Sequence, residues 1–198
     1  MSRTSSTALA TIRDEHRTLS AILHGMEYLV REIRANRKKI DPQVFHAMFY
    51  YLDTFAGRVH HPREDQYLFA ILRERNDEAK ALIARLEEDH AGGEEALRRL
   101  AQSLNRYEEG GEKEFPAFER QVANFVDGYR NHMRKEEDEL FPLAERILTP
   151  LDWIMIDEAF SEQDDPLAAA REEKDFEKLF TRIVTLAPPP IGVGPAAP

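Results

Sequence analysis

One short pattern occurs twice in this chain of 198 residues and constrains its fold more than any other feature. A histidine is followed four residues later by a glutamate and, after four more, by a Leu-Phe pair, first at His60 and Glu64 and again at His132 and Glu136. In an α-helix, residues four apart lie on one face, one above the other. Each copy therefore directs an imidazole and a carboxylate to the same side of a helix, which is half of a metal site.

The composition limits what such a site can be. The chain has no cysteine, which excludes disulfides, zinc–thiolate sites and protein-ligated iron–sulfur clusters. Its net charge of −10 argues against nucleic acid or an anionic membrane surface as a partner. The N-terminus lacks the apolar run of a signal peptide, and no stretch reaches transmembrane length, so we expect a cytoplasmic protein with no membrane contact.

Apolar residues recur at steps of three and four along most of the chain, which predicts amphipathic helices. Helix-start residues at 5–7, 41–42, 76–77 and 116 divide this pattern into four helices. His16 lies on the apolar stripe of the first helix, and His90 lies on that of the third. In the second, we expect a kink at Pro62 and a stripe that continues through Tyr67 and Ile71.

Short connections between these helices predict an all-α fold, an antiparallel up-down four-helix bundle with two additional C-terminal helices. Residues 1–149 form the predicted metal-binding bundle. Residues 150–186 form a helical extension that packs on the bundle or on a dimer partner, because its apolar residues are too many for a solvated tail. Residues 187–198 are rich in Pro, Gly and Ala and are predicted to be disordered.

Distances along the helices place the candidate ligands in one layer of the bundle. His16 and His60 lie about 20 and about 18 residues from the turn that joins their helices, so at ~1.5 Å per residue they reach the same height. Similar counts bring His90 and His132 to that level. Burying four imidazoles and two carboxylates without partners would cost several kcal/mol each, and a bound metal removes this cost. Histidine and carboxylate ligands in a bundle favour a dinuclear iron or manganese site, with zinc as a further candidate.

The remaining histidines lie off these stripes. His61 is displaced by one residue and is expected to contact the site from outside or to face solvent. His24 is expected to be structural or at the surface, and His46 to be structural. Gly92 and Gly93 are unfavourable inside the third helix, which indicates either a close approach of helices or room for a ligand.

The pattern resembles the hemerythrin-type (HHE) cation-binding family, and more specifically its bacterial non-haem di-iron members, over roughly residues 8–148. The resemblance implies two iron ions with an oxo or hydroxo bridge, for which manganese or zinc can substitute. It also implies a small diatomic or peroxide ligand, namely dioxygen, nitric oxide or peroxide. The metal ligands that it implies are His16, His60, Glu64, His90, His132 and Glu136.

Two positions depart from the oxygen-carrying hemerythrins. Those proteins have a second histidine four residues after the one on the third helix, where this chain has Glu94, and a His-x4-Asp pair on the fourth helix instead of His132-x3-Glu136. Glu94 is therefore the one candidate for an additional ligand. Two octahedral irons offer twelve positions, of which four histidines, two bridging carboxylates and one bridging oxygen fill ten. If Glu94 stays away, one position on each iron is open, which favours chemistry on peroxide or nitric oxide over oxygen storage.

Two functions follow from this reasoning. The first is a di-iron protein that binds or reduces a small oxidant; the alternative is a non-catalytic iron-binding or iron-sensing module, or an iron donor in stress repair. Whether the protein is an enzyme stays open, and no catalytic residue is assigned. A ferritin-like oxidase is disfavoured because its Glu-x2-His motif is needed on two helices. Glu87 and His90 form one such motif, but Arg13 stands where a second would need a glutamate.

Overall fold

The computed structural model describes residues 6–36, 40–161 and 166–194, with the helical backbone alone for residues 166–173. Within these ranges the chain is helical and has no strand. The helices are α1 (Thr7–Arg34), α2 (residues 43–75), α3 (Asp77–Gly110), α4 (residues 115–147), α5 (Pro150–Ser161) and α6 (Pro166–Leu186). Helices α1 to α4 form the bundle, so the prediction of an all-α helical bundle with two further C-terminal helices is confirmed.

The bundle helices begin at residues that satisfy their first free N–H groups. The side chain of Ser6 accepts a hydrogen bond from Leu9 N (3.3 Å), and that of Asn76 accepts one from Glu78 N (2.7 Å). Asp41 Oδ1 accepts from Gln43 N (2.9 Å) at the start of α2. The predicted polar break between α1 and α2 falls partly on residues 37–39, which lie outside the described residues.

Helix α2 is not a uniform α-helix, because it contains two π-helical segments, Leu52–His60 and Glu64–Phe69, on either side of Pro62. In an α-helix, a step of four residues turns about 400°, so such positions drift by about 40° per step. The wider π turn removes this drift, so residues four apart stay on the buried face from Leu52 through Leu72. The prediction that Tyr67 and Ile71 continue the stripe was wrong: Leu68 and Leu72 are fully buried instead.

The core consists of two hydrophobic clusters that lie on either side of the polar layer. One holds Met26, Phe45 and Phe118, and the other holds Leu9, Phe69 and Phe141. Along each of the four helices, the residues of one cluster are followed by the candidate ligands and then by residues of the other cluster. The ligand layer is therefore held from both ends by close-packed side chains.

The C-terminal extension packs against the bundle. Ile156 of α5 is fully buried in one cluster, and the buried carboxylate of Asp152 accepts hydrogen bonds from Arg75 (2.6 and 3.0 Å) and from Thr149 N (2.9 Å). Phe176 and Ile183 of α6 pack against the other cluster. These contacts show that the extension covers bundle surface within one chain.

Residues 187–194 differ from the prediction of a disordered tail. They turn back along α6, with hydrogen bonds from Val193 N to Val184 O and from Gly194 N to Ala187 O, both 2.8 Å long. Ala187 is fully buried, because the turn packs on the bundle through apolar contacts. The rest of the predicted tail, 195–198, lies outside the described residues. Within the described ranges, no helix combines the length and the apolarity that crossing a bilayer requires.

Candidate metal centre

The four bundle helices bring all six predicted ligands into one buried layer. Glu64 and Glu136 are completely buried, and the exposed fractions of His16, His60 and His132 are 2%, 1% and 5%. The side chain of His90 is 6% exposed. The pairs on α2 and α4 face inward together because their members are four residues apart. π-helical segments end at His60 and begin at Glu64 and Glu136. The side chains form two groups, each with potential ligand atoms within 4.8 Å of one another: His16, His60 and Glu64; and Glu64, His90, His132 and Glu136.

The two carboxylates lie between the two pairs of imidazoles. Glu136 Oε2 is 3.2 Å from His16 Nε2, whereas its Oε1 is 3.3 Å from His132 Nε2. Glu64 Oε2 is 3.6 Å from His60 Nε2 and 3.7 Å from His90 Nε2. Each carboxylate therefore faces one histidine of the first pair and one of the second.

Several buried polar atoms in this layer have no hydrogen-bond partner. They are both oxygens of Glu64, both oxygens of Glu136, Nε2 of His16, Nε2 of His60 and Nδ1 of His132. An unsatisfied polar atom in a protein interior costs about 1–3 kcal/mol, so a cluster of them would be strongly destabilising. Five of these seven atoms lie 3.2–3.8 Å from a side-chain atom of another candidate ligand. Their convergence is explained if they coordinate cations.

The outer nitrogens of the histidines meet a second set of carboxylates. Hydrogen bonds join Nδ1 of His16 to Glu137 (2.8 Å), Nδ1 of His60 to Glu15 (2.7 Å) and Nδ1 of His90 to Asp65 (2.9 Å). Asp89 lies 3.7 Å from His132 Nδ1 and is held by a hydrogen bond from Lys135 (2.7 Å). A carboxylate on the outer nitrogen fixes the ring and leaves Nε2 to bind a metal.

These outer carboxylates form a closed ring around the bundle. An acid on α1 faces the histidine of α2, one on α2 faces that of α3, one on α3 faces that of α4, and one on α4 faces that of α1. Sequence reasoning missed all four residues. A signal was present, because each is the immediate neighbour of a predicted ligand, in the pairs Glu15–His16, Glu64–Asp65, Asp89–His90 and Glu136–Glu137.

Comparison with protein families gives a match to the hemerythrin HHE cation-binding domain over residues 7–144, which is more than half of the chain. The chain belongs to the hemerythrin HHE cation-binding family. Comparisons with curated proteins and with solved structures each found no match. Membership of this family agrees with the geometry, because a hemerythrin-type domain binds metal and the unpaired Nε2 and carboxylate oxygens suit that purpose.

In the metal-free layer, the pKa values of Glu64 and His90 are raised, so these side chains tend to hold protons. Burial, and then the charge of Glu136, raise the pKa of Glu64 well above its usual value. Burial would also raise the pKa of Glu136, but the adjacent His132 and His16 hold it well below the usual value. Burial opposes protonation of His90 too, yet Asp65 and Glu136 raise its pKa to about 9. Binding of a cation to this hemerythrin-type centre must therefore displace protons.

His61 contacts the layer from outside, which is one of the two positions expected for it. Its ring stacks on that of His90 at 4.1 Å between centroids, and His61, His90 and His132 form a third group with potential ligand atoms within 4.8 Å. Its Nε2 and the hydroxyl of Tyr129 are 3.1 Å apart and share a hydrogen bond. Burial, and then the neighbouring imidazole of His90, hold the pKa of His61 well below its ordinary value. The residue therefore contacts the centre from the α2–α4 side as a neutral imidazole.

The structure does not bring Glu94 into the layer. Its side chain is 76% exposed and accepts a hydrogen bond from Arg98 (3.0 Å) one helical turn further along α3. Among the other histidines, His24 is exposed, and His46 pairs with Glu108 at the far end of the bundle (2.9 Å). Both lie away from the centre.

Proposed function

We propose that this hemerythrin-family protein holds two iron ions in the layer and uses them to bind or reduce a small oxidant, which is dioxygen, peroxide or nitric oxide. The observation that carries the proposal is the position of the two buried carboxylates. Glu64 belongs to both groups of potential ligands, and the two oxygens of Glu136 face histidines of opposite pairs. Carboxylates shared in this way support two ions rather than one.

The residues divide between the two ions by their distances. His16 and His60 would hold one ion, His90 and His132 the other, and Glu64 and Glu136 both. Zinc in a structural site prefers a closed set of four ligands, whereas imidazole and carboxylate sets with open positions suit iron in oxygen chemistry. The iron would supply the electrons for reduction of the bound oxidant.

The protein's own residues would control this chemistry. The outer carboxylates orient the imidazoles, the two hydrophobic clusters exclude bulk water, and Tyr129 and His61 place a hydroxyl and an imidazole beside the His90–His132 pair. Glu94 is turned toward Arg98, so it would not take the coordination position that a second histidine on α3 fills in oxygen-carrying hemerythrins.

Metal analysis and optical titration test the proposal together. Protein loaded with ferrous iron under anaerobic conditions should contain two irons per chain, and hydrogen peroxide, nitric oxide or air should change its visible spectrum within seconds to minutes. In air we expect irreversible oxidation. One iron per chain would refute the dinuclear centre, and a fully loaded protein that is inert toward all three oxidants would favour an iron sensor or donor instead.

A further inference from the structure

Two neighbouring cavities lie between the bundle helices beside the candidate centre. One, of about 320 Å³, lies between α2, α3 and α4 and reaches His90; the other, of about 220 Å³, lies between α3 and α4 and reaches His132. Both are lined by His61, Gly93, Phe125 and Tyr129. We treat them as one feature, the glycine cleft.

Four glycines inside helices line this cleft, namely Gly57, Gly92, Gly93 and Gly128. Apart from proline, glycine is the least favourable residue for a helix interior. A Cβ atom added to any of the four would meet no atom within 4 Å, so these residues are not required by a close approach of helices. Of the two explanations for Gly92 and Gly93, the structure supports room for a ligand.

The opposite side of the layer is closed by aromatic rings. Phe55 stacks on His60 at 6.2 Å between centroids, and Phe176 of α6 packs against Phe55 at 5.1 Å. Phe141 stacks on His16 at 6.1 Å. Neither His16 nor His60 lines the cleft. A molecule that enters the cleft therefore reaches the His90–His132 pair and not the other.

The walls of the cleft define the chemistry that it can hold. Leu52, Ala56, Leu97 and Phe125 provide apolar walls in the larger cavity. Charged side chains also line it, namely Asp53, Arg58, Asp65 and Glu94. The inner end carries the Tyr129 hydroxyl and His132. The buried Nδ1 of His132 has no hydrogen-bond partner, because Asp89 lies 3.7 Å away, beyond hydrogen-bond distance, and is bonded to Lys135 instead. Since Nε2 of His132 faces Glu136, its Nδ1 lies on the side of the ring turned away from that carboxylate. A ligand with an apolar body and one hydroxyl group would match both features.

We propose that the glycine cleft binds a small neutral organic molecule with an apolar body and a hydroxyl or hydroperoxyl head, and delivers that head to the His90–His132 side of the centre. The larger cavity lies at the lower end of the range for small-molecule pockets, roughly 300–1,000 Å³. A diatomic gas, similar in size to a water molecule of about 30 Å³, would fill only a small part of it. The inference rests on the proposed function and, among its oxidants, favours an organic hydroperoxide over a diatomic gas.

Binding of 4-fluorophenol to the metal-loaded protein, followed by fluorine NMR, tests the proposal. Zinc-loaded wild-type protein should bind the probe saturably. Fluorobenzene, which lacks the hydroxyl, should bind about fivefold more weakly, the effect of one net hydrogen bond. In iron-loaded protein the resonance of the bound probe should broaden strongly, because it would lie close to a paramagnetic ion.

The matched variants are Gly93→Leu, which fills the cleft, and Ala91→Leu, an exposed position on the same helix that does not line it. We expect Gly93→Leu to weaken fluorophenol binding at least tenfold, Gly93→Ala to weaken it less, and Ala91→Leu to leave it unchanged. Circular dichroism and metal content of each variant verify folding and loading.

Unchanged binding in Gly93→Leu, or the absence of binding to wild-type protein, overturns the proposal, and equal affinity for fluorobenzene overturns its hydroxyl head. These failures are distinct from failure of the proposed function. A two-iron protein that reacts with peroxide but ignores fluorophenol refutes the cleft alone. A protein that binds fluorophenol in the cleft but holds no metal refutes the di-iron function.

Discussion

Substitution of Glu15 by alanine tests whether the ring of outer carboxylates holds the centre in place. Glu15 Oε2 accepts a hydrogen bond from His60 Nδ1 at 2.7 Å, and Oε1 accepts one from Arg63 at 3.3 Å. His60 is only 1% exposed, so water cannot replace the lost carboxylate without rearrangement. In Glu15→Ala the His60 ring would lose the contact that fixes its tautomer and its orientation.

The expected magnitude follows from the role of such carboxylates. Loss of the outer hydrogen-bond partner of a metal-bound imidazole lowers metal affinity by about 10- to 100-fold, which corresponds to about 1.4–2.7 kcal/mol. This range agrees with the roughly 1–3 kcal/mol cost of a buried donor without a partner. Glu15→Gln keeps an acceptor oxygen and loses the charge, so we expect a smaller loss, of about three- to tenfold.

Competition between the protein and a chromophoric chelator of known affinity measures this change, with zinc and with ferrous iron. Asp14→Ala is the matched control, because Asp14 precedes Glu15 on α1 but is 63% exposed and pairs with Arg17 on the surface. Melting temperatures of the metal-free proteins separate a folding defect from a binding defect. An affinity of Glu15→Ala within twofold of wild type, with normal folding, would refute the positioning role.

Three further outcomes are expected. Glu64→Ala should lose at least one metal ion per chain and His46→Ala none; full metal content in Glu64→Ala, measured by elemental analysis, would contradict the assignment. The pKa of His90 in the metal-free protein is about 9, above its ordinary value of 6.5. The stability that the His90 proton contributes to the metal-free protein is therefore complete below pH 6.5 and lost as pH rises through 9. Because the metal must displace this proton, apparent metal affinity should rise over the same interval. Calorimetric titrations with metal between pH 6 and 9 measure this rise. Asp152→Ala should destabilise the protein by about 1–2 kcal/mol in urea unfolding, because it removes the acceptor of the Thr149 N–H at the start of α5; an unchanged midpoint would mean that α5 contributes little.

The chemistry of the centre could be predicted from the sequence because it depends on local geometry. The doubled His-x3-Glu motif and the stripes that contain His16 and His90 require only the repeat of a helix and its rise per residue. Those two quantities also place the six residues at one height in any antiparallel bundle with short turns. The structure brings the six together for this reason.

Other features depend on irregular helix geometry or on contacts between helices, which the regular α-helical repeat does not encode. The buried face of α2 continues through Leu68 and Leu72 and not through Tyr67 and Ile71. The cause is the π-helical hydrogen bonding near Pro62, where the missing N–H weakens the α-helical hydrogen-bond pattern. His61 is adjacent to a predicted ligand in sequence, but its place against His90 and Tyr129 depends on how α3 and α4 pack.

The difference between the two sides of the centre also required the tertiary structure. The sequence by itself determined a symmetric set of ligands, two imidazoles and a shared pair of carboxylates on each side. Packing of α6 places Phe176 against Phe55 over His60, whereas the glycines of α3 and α4 leave space beside His90 and His132. Docking of the C-terminal helix closes the His60 side of the centre. Because Phe176 lies more than a hundred residues from Phe55 and meets it only in the folded chain, only the tertiary structure could show which side is closed.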